Sequence, residues 1–255
     1  EARSIKKKIP FKNWGEQNKF CLKANWIDIS HARNIVSART WSDIVKTRSN
    51  YEELPELLTT SPNQGAIDGF TIKVYNNGIY QGRYTWNIPK DKWTFNLGSG
   101  TQEAVICADV DTPAVDLRVH STVTDKVDHA LEEVTDEDNA GWVADSLNNL
   151  IDRCVNSYGA DLDTTIAQYM DWQSAIDYFI FTVLVDGRDM YKKNYILVTY
   201  NGAKWIWSAY DMDSTYGLQW AGNEIYPAND GISFVKFRVN RVMELIFRFK
   251  PNALK

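Results

Sequence analysis

Residues 187–217 read GRDMYKKNYILVTYNGAKWIWSAYDMDSTYG and carry the strongest structural signal in the chain. Two β-branched and aromatic runs, YILVTY at 195–200 and AKWIWS at 203–208, flank the dipeptide Asn201-Gly202. Asn-Gly favours a two-residue type I′ turn, because both central positions of that turn need a positive φ. The stretch therefore predicts a β-hairpin that joins an Asp-containing loop at 187–194 to a second acidic loop at 211–217.

The predicted hairpin brings polar side chains from both loops to one end of the sheet. A two-residue turn sets a register in which Asn194 lies beside Ala209. Asp211 and Asp213 then emerge next to Asn194, and Asp189 lies in the loop that feeds the first strand. Carboxylate and amide oxygens suit Mg²⁺, which combines a few side chains with substrate phosphates. The sequence thus predicts a magnesium site at the end of the hairpin.

This set of residues is typical of a phosphoryl-transfer site on a kinase-like scaffold. Such a site needs a base for the attacking hydroxyl, oxygen ligands for Mg²⁺ and a fold-back of the chain that joins them. Clustered carboxylates also repel one another unless a cation lies between them, which favours a catalytic interpretation. Two structural alternatives stay open: Asp189 as a polar turn residue after a helix, and Asp211 with Asp213 as a loop pair in Asx turns.

Length, charge and hydropathy narrow the function classes. The 255 residues suffice for one large domain or two lobes. A net charge of -5 and the lack of a basic window argue against a nucleic-acid partner. No apolar run approaches the ~20 residues of a membrane span, and the His residues lack the spacing of zinc ligands. The chain begins with Glu1, as we expect of a fragment or a processed piece.

The chain is predicted to have two parts, with a hinge near Pro89 and Lys90. The first part, residues 1–90, is expected to be N-lobe-like and truncated at its start. A strand is predicted at 20–27, followed by a helix from an N-cap at Ser30 to about Lys46. The buried face of this helix is expected to consist of Ile35, Val36, Ile44 and Val45. A hairpin of 70–75 and 79–86 is predicted to turn at Asn77-Gly78.

The second part, residues 91–255, begins with a predicted short β region at 103–110 and 115–123, followed by a solvated acidic loop at 125–138. Helical spacing of apolar residues predicts a helix at 142–155. Asp171 is expected to cap a second helix that ends at Gly187. The predicted apolar face of this helix consists of Trp172, Ile176, Phe179, Ile180, Val183 and Leu184.

Four stretches of the chain resemble the CotH family of atypical protein kinases, in the order in which that family carries them. These are LKANWIDISHARN at 22–34, NNGIYQGRY at 76–84, DWQSAIDYFIFTVLVDG at 171–187, and GRDMYKKN at 187–194 with its hairpin and the DMDSTYG loop. Together they cover most of the chain from about Phe20 to Leu218. The family is known from a spore-coat kinase and from bacterial surface and phage-associated proteins.

The resemblance implies an α+β, two-lobed kinase-like fold whose hairpin carries the catalytic and metal loops. It implies transfer of the γ-phosphate of ATP to Ser or Thr of a protein, with Mg²⁺ as the metal. Asp189 matches the catalytic Asp, Asn194 and Asp211 match metal ligands, and Asp213 stands where the family repeats an acidic residue. Lys193 precedes the Asn and is expected to neutralise phosphate charge.

The chain departs from the family pattern at two places. An Arg-Gly-Asn segment that usually precedes nucleotide-facing Lys residues is missing, and SIKKK at 4–8 is the only remnant. Lys7 and Lys23 are the remaining candidates for a nucleotide Lys, and Ile88 replaces a Glu that many relatives carry. The alternative function is therefore a catalytically inactive kinase-like module of a phage tail or a cell-surface assembly.

Overall fold

The computed structural model of the protein describes residues 7–98, 100, 102–123, 127–157, 164, 166–227 and 238–249. They form a mixed structure of helices and antiparallel sheets, which confirms the predicted α+β class. Among the helices of these residues, none is both long and apolar enough to cross a membrane.

Nine strands and five α-helices can be assigned within the described ranges. The strands are β1 Ile9–Pro10, β2 Glu16–Gln17, β3 Cys21–Lys23, β4 Gly69–Asn76, β5 Ile79–Asn87, β6 Ala104–Ala108, β7 Ala130–Val134, β8 Tyr195–Thr199 and β9 Ile206–Ala209. The helices are α1 Arg33–Lys46, α2 Glu56–Thr59, α3 Gly141–Asn156, α4 Trp172–Leu184 and α5 Arg241–Phe249.

A three-stranded antiparallel sheet has the strand order β3-β5-β4. The hairpin of β4 and β5 turns at Asn77 and Gly78 with φ values of +49° and +80°, as a type I′ turn requires. This predicted hairpin is confirmed. The strand predicted at 20–27 is shorter, because β3 ends at Lys23 and Asn25 turns the chain away with a φ of +49°.

A four-stranded antiparallel sheet, in the order β7-β6-β8-β9, lies at the centre of the hydrophobic core. Every residue of β6, β8 and β9 is buried. Helix α4 packs on β9, and α5 packs on both α3 and α4. The hairpin that carries the acidic loops is therefore enclosed by the core, which fixes the position of its ends.

The prediction of a solvated acidic loop at 125–138 is wrong in its second half. Ala130–Val134 forms β7 and pairs with β6, for example Ala130 with Cys107 and Val134 with Ala104. β7 is an edge strand, and edge strands tolerate charged side chains such as Glu132 and Glu133. The acidic composition of this strand therefore led to the wrong prediction of a loop.

The β segment predicted at 115–123 is also absent from the described residues. Val115 and Leu117 are buried in a series of turns, in which the Leu117 N–H donates to the Ala114 carbonyl at 2.9 Å. Leu117 has a φ of +56°, which is incompatible with a strand. Val115, Leu117 and Val123 fill the core without pairing with the sheet, whereas Val119 is 51% exposed.

The hairpin of β8 and β9 forms, but its predicted register is wrong by one residue. Tyr195 pairs with Ala209, whereas a two-residue turn would have placed Asn194 there. The Asn201 side-chain oxygen accepts the N–H groups of Ala203 at 3.1 Å and of Lys204 at 2.9 Å. This Asx-type turn is longer than a type I′ turn and ends the regular pairing earlier.

Helix α1 begins at Arg33, and Asp28 closes its first turn. The Asp28 carboxylate accepts the N–H groups of Ala32 at 3.0 Å and of Arg33 at 2.9 Å, and it pairs with the Arg33 guanidinium at 2.6 Å. The predicted N-cap at Ser30 is wrong, because the cap position is Ala32. The Ser30 hydroxyl donates to Asp28 and accepts the Ala32 N–H at 3.2 Å. One carboxylate thus satisfies two N–H groups at the helix start.

Asp171 caps α4 as predicted, since its Oδ1 accepts the Ser174 N–H at 2.7 Å. The apolar faces of the helices were predicted too broadly. Val36 in α1 is 49% exposed, and Ile180 and Leu184 in α4 are 42% and 65% exposed. Periodicity alone does not separate the centre of a buried face from its margins.

His129 lies in the core between two hydroxyl groups. Its Nε2 is 3.1 Å from the Tyr195 hydroxyl and its Nδ1 is 3.0 Å from the Ser121 hydroxyl. The Tyr195 hydroxyl donates to the Val115 carbonyl, so it accepts from the imidazole. Burial penalises the charged ring and lowers the pKa of His129 from 6.5 to about 4.

We predict that this histidine makes the protein less stable in acid. Between pH 6.5 and pH 4 the unfolded chain takes up a proton that the buried imidazole does not, so stability falls as the pH falls. The expected loss is up to roughly 3 kcal/mol, at about 1.4 kcal/mol per pKa unit. Urea unfolding at a series of pH values measures it.

The variant His129→Gln lacks this titration and should show a weaker loss of stability over the same pH interval. The exposed His120 provides the control, because His120→Gln should retain the dependence of the wild-type chain. Equal pH dependence in the wild-type chain and in His129→Gln would contradict the prediction.

Candidate active site

The loop between α4 and β8 holds three polar side chains in contact. Asn194 Nδ2 donates to Asp189 Oδ2 at 3.1 Å, and Lys193 Nζ lies 3.1 Å from the same oxygen. Asn194 is 3% exposed and has a φ of +62°, a left-handed conformation in which Asn is enriched. The loop therefore holds the Asp189 carboxylate through two donors on one oxygen.

Asn194 also joins this loop to the acidic loop after β9. Its Nδ2 donates to the Asp211 main-chain oxygen at 3.2 Å, and its own carbonyl accepts the Tyr210 N–H at 3.1 Å. The structure thus brings Asp189, Asn194 and Asp211 together, although the predicted strand register is wrong. A shift of one residue leaves the same two loops at the same end of the hairpin.

Lys23, at the end of β3, reaches the acidic loop from the three-stranded sheet. Its Nζ lies 3.0 Å from Asp211 Oδ1 and 3.9 Å from Asp213 Oδ2. Lys7, the other candidate for a nucleotide Lys, is exposed and has no hydrogen bond or ion pair with the site among the described residues. Residues 4–6 of the SIKKK segment lie outside the described ranges.

Helix α1 braces the acidic loop from a second direction. Asn34 Oδ1 accepts the Met212 N–H at 2.6 Å, and Arg33 Nε donates to the Thr215 carbonyl at 3.1 Å. The sequence predictions did not include Asn34, although it ends the LKANWIDISHARN stretch. The position of Asn34 in that motif was the signal from which its role could have been predicted.

Asp213 is a partly buried carboxyl group next to a second acidic side chain. Burial raises its pKa to about 6, the negative charge of Asp211 adds to the increase, and Lys23 opposes it. A carboxyl group with this environment would gain from a nearby cation, because the cation offsets both the desolvation and the repulsion.

The oxygen-rich side chains fit the chemistry of Mg²⁺ ligands. Asp211 and Asn194 are of the right type, and Mg²⁺ needs one or two carboxylates when phosphates supply further oxygens. Among the described residues, no three His, Cys, Asp or Glu side chains are grouped so that they could hold a metal on their own.

Lysine side chains already neutralise these carboxylates. Lys193 pairs with Asp189, and Lys23 pairs with Asp211 and approaches Asp213. The sequence-based argument that the clustered carboxylates require a cation is therefore too strong, because two ammonium groups of the chain itself offset the repulsion.

A cavity of about 260 Å³ opens beside Asp211. Lys23 and Asp211 mark one end of it. Cys21 lies two residues before Lys23 in β3 and pairs with Asn87 of β5. Ile88 and Lys90 follow Asn87 in the chain, so they lie towards the other end of the cavity. The lining residues are Cys21, Leu22, Lys23, Asn34, Ile67, Asn87, Ile88, Lys90, Ala209, Tyr210, Asp211 and Met212.

A second cavity, of about 240 Å³, opens beside Asp189. Its lining residues are Asp111, Arg188, Asp189, Tyr191, Lys192, Ser214, Leu218, Trp220 and Tyr226. Asp189 and Asp211 thus face different cavities, while Asn194 connects the two loops between them.

The Asp189 loop is anchored to the core by Tyr178 of α4. The Tyr178 hydroxyl lies 2.7 Å from the Met190 carbonyl and 3.2 Å from the carbonyls of Lys193 and Asn194. The ring packs against Trp207 at a centroid distance of 5.1 Å. Sequence reasoning missed this role, because a Tyr on a helix face has the pattern of an ordinary core residue.

Comparison with known families identifies the family of the chain. The family model described as CotH kinase protein matches residues 3–244. The match covers nearly all of the 255 residues, so the chain belongs to the CotH kinase family, as the sequence motifs predicted. No curated protein matches the chain at a significant level.

Removal of the Tyr178 hydroxyl should destabilise the protein and loosen the Asp189 loop. In Tyr178→Phe the buried loop carbonyls lose a donor, and we expect a loss of about 1–3 kcal/mol in the free energy of unfolding. Amide hydrogen exchange should rise at 189–194.

Tyr200→Phe is the matched control, because the Tyr200 hydroxyl donates to the Phe95 carbonyl at 2.9 Å, outside this loop. It should leave exchange at 189–194 unchanged. Identical exchange in both variants would show that Tyr178 does not anchor the loop.

Proposed function

We propose that this member of the CotH kinase family is an Mg²⁺- and ATP-dependent atypical protein kinase. It transfers the γ-phosphate of ATP to a Ser or Thr hydroxyl of a protein. The observation that carries the proposal is the double contact of Asn194, which holds Asp189 at one cavity and the Asp211 loop at another. Phosphoryl transfer needs a hydroxyl-activating base next to a phosphate-binding metal site, and Asn194 joins the loops that would carry the two.

A two-lobed arrangement fits the positions of the two sheets. In the proposed division, residues 1–90 form a smaller lobe with the three-stranded sheet and α1, and residues 91–255 form a larger lobe around the four-stranded sheet. The 260 Å³ cavity takes Leu22 and Lys23 from the first part and Ala209 and Asp211 from the second. A cleft lined by both parts is where a kinase holds its nucleotide.

The ends of this cleft support an orientation for ATP. Lys23 and Asp211 would face the phosphates, and the buried Ile88 with Lys90 would face the base. Asp211 and Asn194 would hold Mg²⁺, and Asp213, whose carboxylate lies 3.9 Å from the Lys23 Nζ, would be a further candidate ligand. When bound, Mg²⁺ supplies positive charge that stabilises the phosphate oxygens in a loose transition state.

Asp189 is the proposed base. The acceptor oxygen forms a bond to the γ-phosphorus, the bond from that phosphorus to the bridging oxygen of ADP breaks, and ADP keeps the electron pair. The hydroxyl proton passes to the Asp189 carboxylate. Lys193, 3.1 Å from that carboxylate, orients it and places a positive charge where phosphate charge arrives.

A second candidate function is a catalytically inactive kinase-like module of a phage tail or a cell-surface assembly. Its support is that Lys23 and Lys193 already neutralise the carboxylates, and that Ile88 occupies the place of an acidic residue. For either function we propose a spore coat, a bacterial surface or a phage particle as the setting.

Thermal unfolding with and without Mg-ATP tests nucleotide binding. At a hundredfold excess over its Kd, a ligand of the folded state adds about 2.7 kcal/mol, which corresponds to a rise in Tm of roughly 5–10 °C for a chain of this size. The rise should require Mg²⁺ and should be lost in Asp211→Asn. Asp43→Asn, at an exposed site on α1, is the control and should keep it.

The variant Asp189→Asn separates binding from chemistry. It should keep the Mg-ATP shift in Tm, because Asp189 does not line the nucleotide cleft. The rate of phosphate transfer to Ser- and Thr-containing peptides should fall by about 10²–10⁴, the usual contribution of a general base.

The two candidate functions give opposite results in these assays. A wild-type chain whose Tm ignores Mg-ATP would favour the inactive module. An Asp189→Asn variant with the wild-type transfer rate would remove Asp189 from the proposed chemistry.

A further inference from the structure

The cavity beside Asp189 is a built recess with an aromatic wall. Asp189 lines it together with Leu218, Trp220 and Tyr226. Trp220 is 69% exposed, whereas Leu218 is buried at 7% exposure. We infer that this cavity is the acceptor site and that it takes a Ser or Thr of a polypeptide together with an adjacent apolar or aromatic side chain, which packs on Trp220.

The segment that carries Trp220 is held in a fixed shape. The Tyr226 N–H donates to the Gly217 carbonyl at 2.7 Å, Leu218 forms an antiparallel bridge with Ile225, and the Gln219 N–H donates to the Glu224 carbonyl at 3.0 Å. These contacts make a hairpin-like loop with Trp220 near its tip. An exposed aromatic ring on a fixed loop pays little conformational entropy when it binds a partner.

Gly222 fixes this loop against the segment that precedes α1. A Cβ at Gly222 would lie 2.7 Å from the Ile27 Cβ, and its φ is +73°. No side chain can be accommodated there without a shift of the backbone. The close approach therefore sets the position of Trp220 relative to the rest of the cavity.

The charged side chains around the cavity have partners within the chain. Lys192 Nζ lies 3.0 Å from Asp111 Oδ2, and Arg188 pairs with Asp186 at 3.0 Å and lies over the Tyr226 ring at 3.6 Å. The lining thus offers no excess of charge for a strongly charged acceptor. An uncharged neighbour of the acceptor residue is the better match to Trp220.

The cavity encloses about 240 Å³. That volume accommodates a hydroxyl-bearing side chain and its neighbour, while the remainder of a polypeptide would run across the surface.

This inference rests on the proposed kinase function, since Asp189 must accept the proton of the hydroxyl that enters the cavity. The bond changes are those of the transfer from ATP: the acceptor oxygen gains the γ-phosphorus, ADP leaves with the electron pair, and the proton goes to Asp189. Trp220 takes no part in these steps. It is a positioning residue for the acceptor.

The test uses the whole chain, Mg-ATP and a degenerate peptide library with a central Ser or Thr. The library should show enrichment of aromatic or aliphatic residues next to the acceptor. For a peptide so selected, Trp220→Ala should raise KM about thirtyfold, the lower limit for an interface hot spot, and leave the KM for ATP and the Mg-ATP shift in Tm unchanged. Trp220→Phe should retain most of the affinity for the peptide.

Trp26→Ala is the matched control, because Trp26 is 94% exposed but does not line the cavity. An equal peptide KM in Trp220→Ala and Trp26→Ala would overturn the inference, as would transfer to free sugars but to no peptide. A wild-type chain with a Mg-ATP shift and no phosphorylated peptide would reject a polypeptide acceptor. A wild-type chain without that shift would reject the kinase function itself.

Discussion

One carboxamide holds the site together, that of Asn194. Its Nδ2 donates to the Asp189 carboxylate at 3.1 Å and to the Asp211 main-chain oxygen at 3.2 Å. A short side chain with two N–H donors on one nitrogen is needed here, because an Asp would repel Asp189 and a Ser would supply one donor. The residue type at this position is therefore set by the two acceptors that it must join.

The buried hairpin fixes the geometry of this contact. β8 and β9 are enclosed by α4 and the other strands of the sheet, so their ends cannot shift relative to each other without disturbing the core. Tyr178 contacts both Trp207 of the hairpin and the carbonyls of the Asp189 loop. It therefore holds the loop in a fixed position relative to the hairpin. Polar groups held by packed elements keep their geometry better than groups on free loops.

The sequence predicts which two loops meet better than it predicts the strands around them. Asn77-Gly78 forms the expected type I′ turn, whereas Asn201 directs its side chain to the N–H groups of Ala203 and Lys204. Asn-Gly thus forms a different turn in each hairpin, and the dipeptide alone does not predict which turn forms. β7 was missed for a related reason, since an edge strand with two Glu residues has the composition of a loop.

The lysine pairs of the site are compatible with an active kinase. Lys23 and Asp211 are 40% and 36% exposed, and ion pairs of such exposure contribute only about 0–1 kcal/mol. Nucleotide phosphates would offer Lys23 a partner of higher charge, and Mg²⁺ would replace the ammonium at Asp211. In such an exchange Asp211 and Asp213 would keep a cation beside them, as they have in Lys23 now. The pairing that supports an inactive module is therefore equally compatible with a nucleotide-free active site.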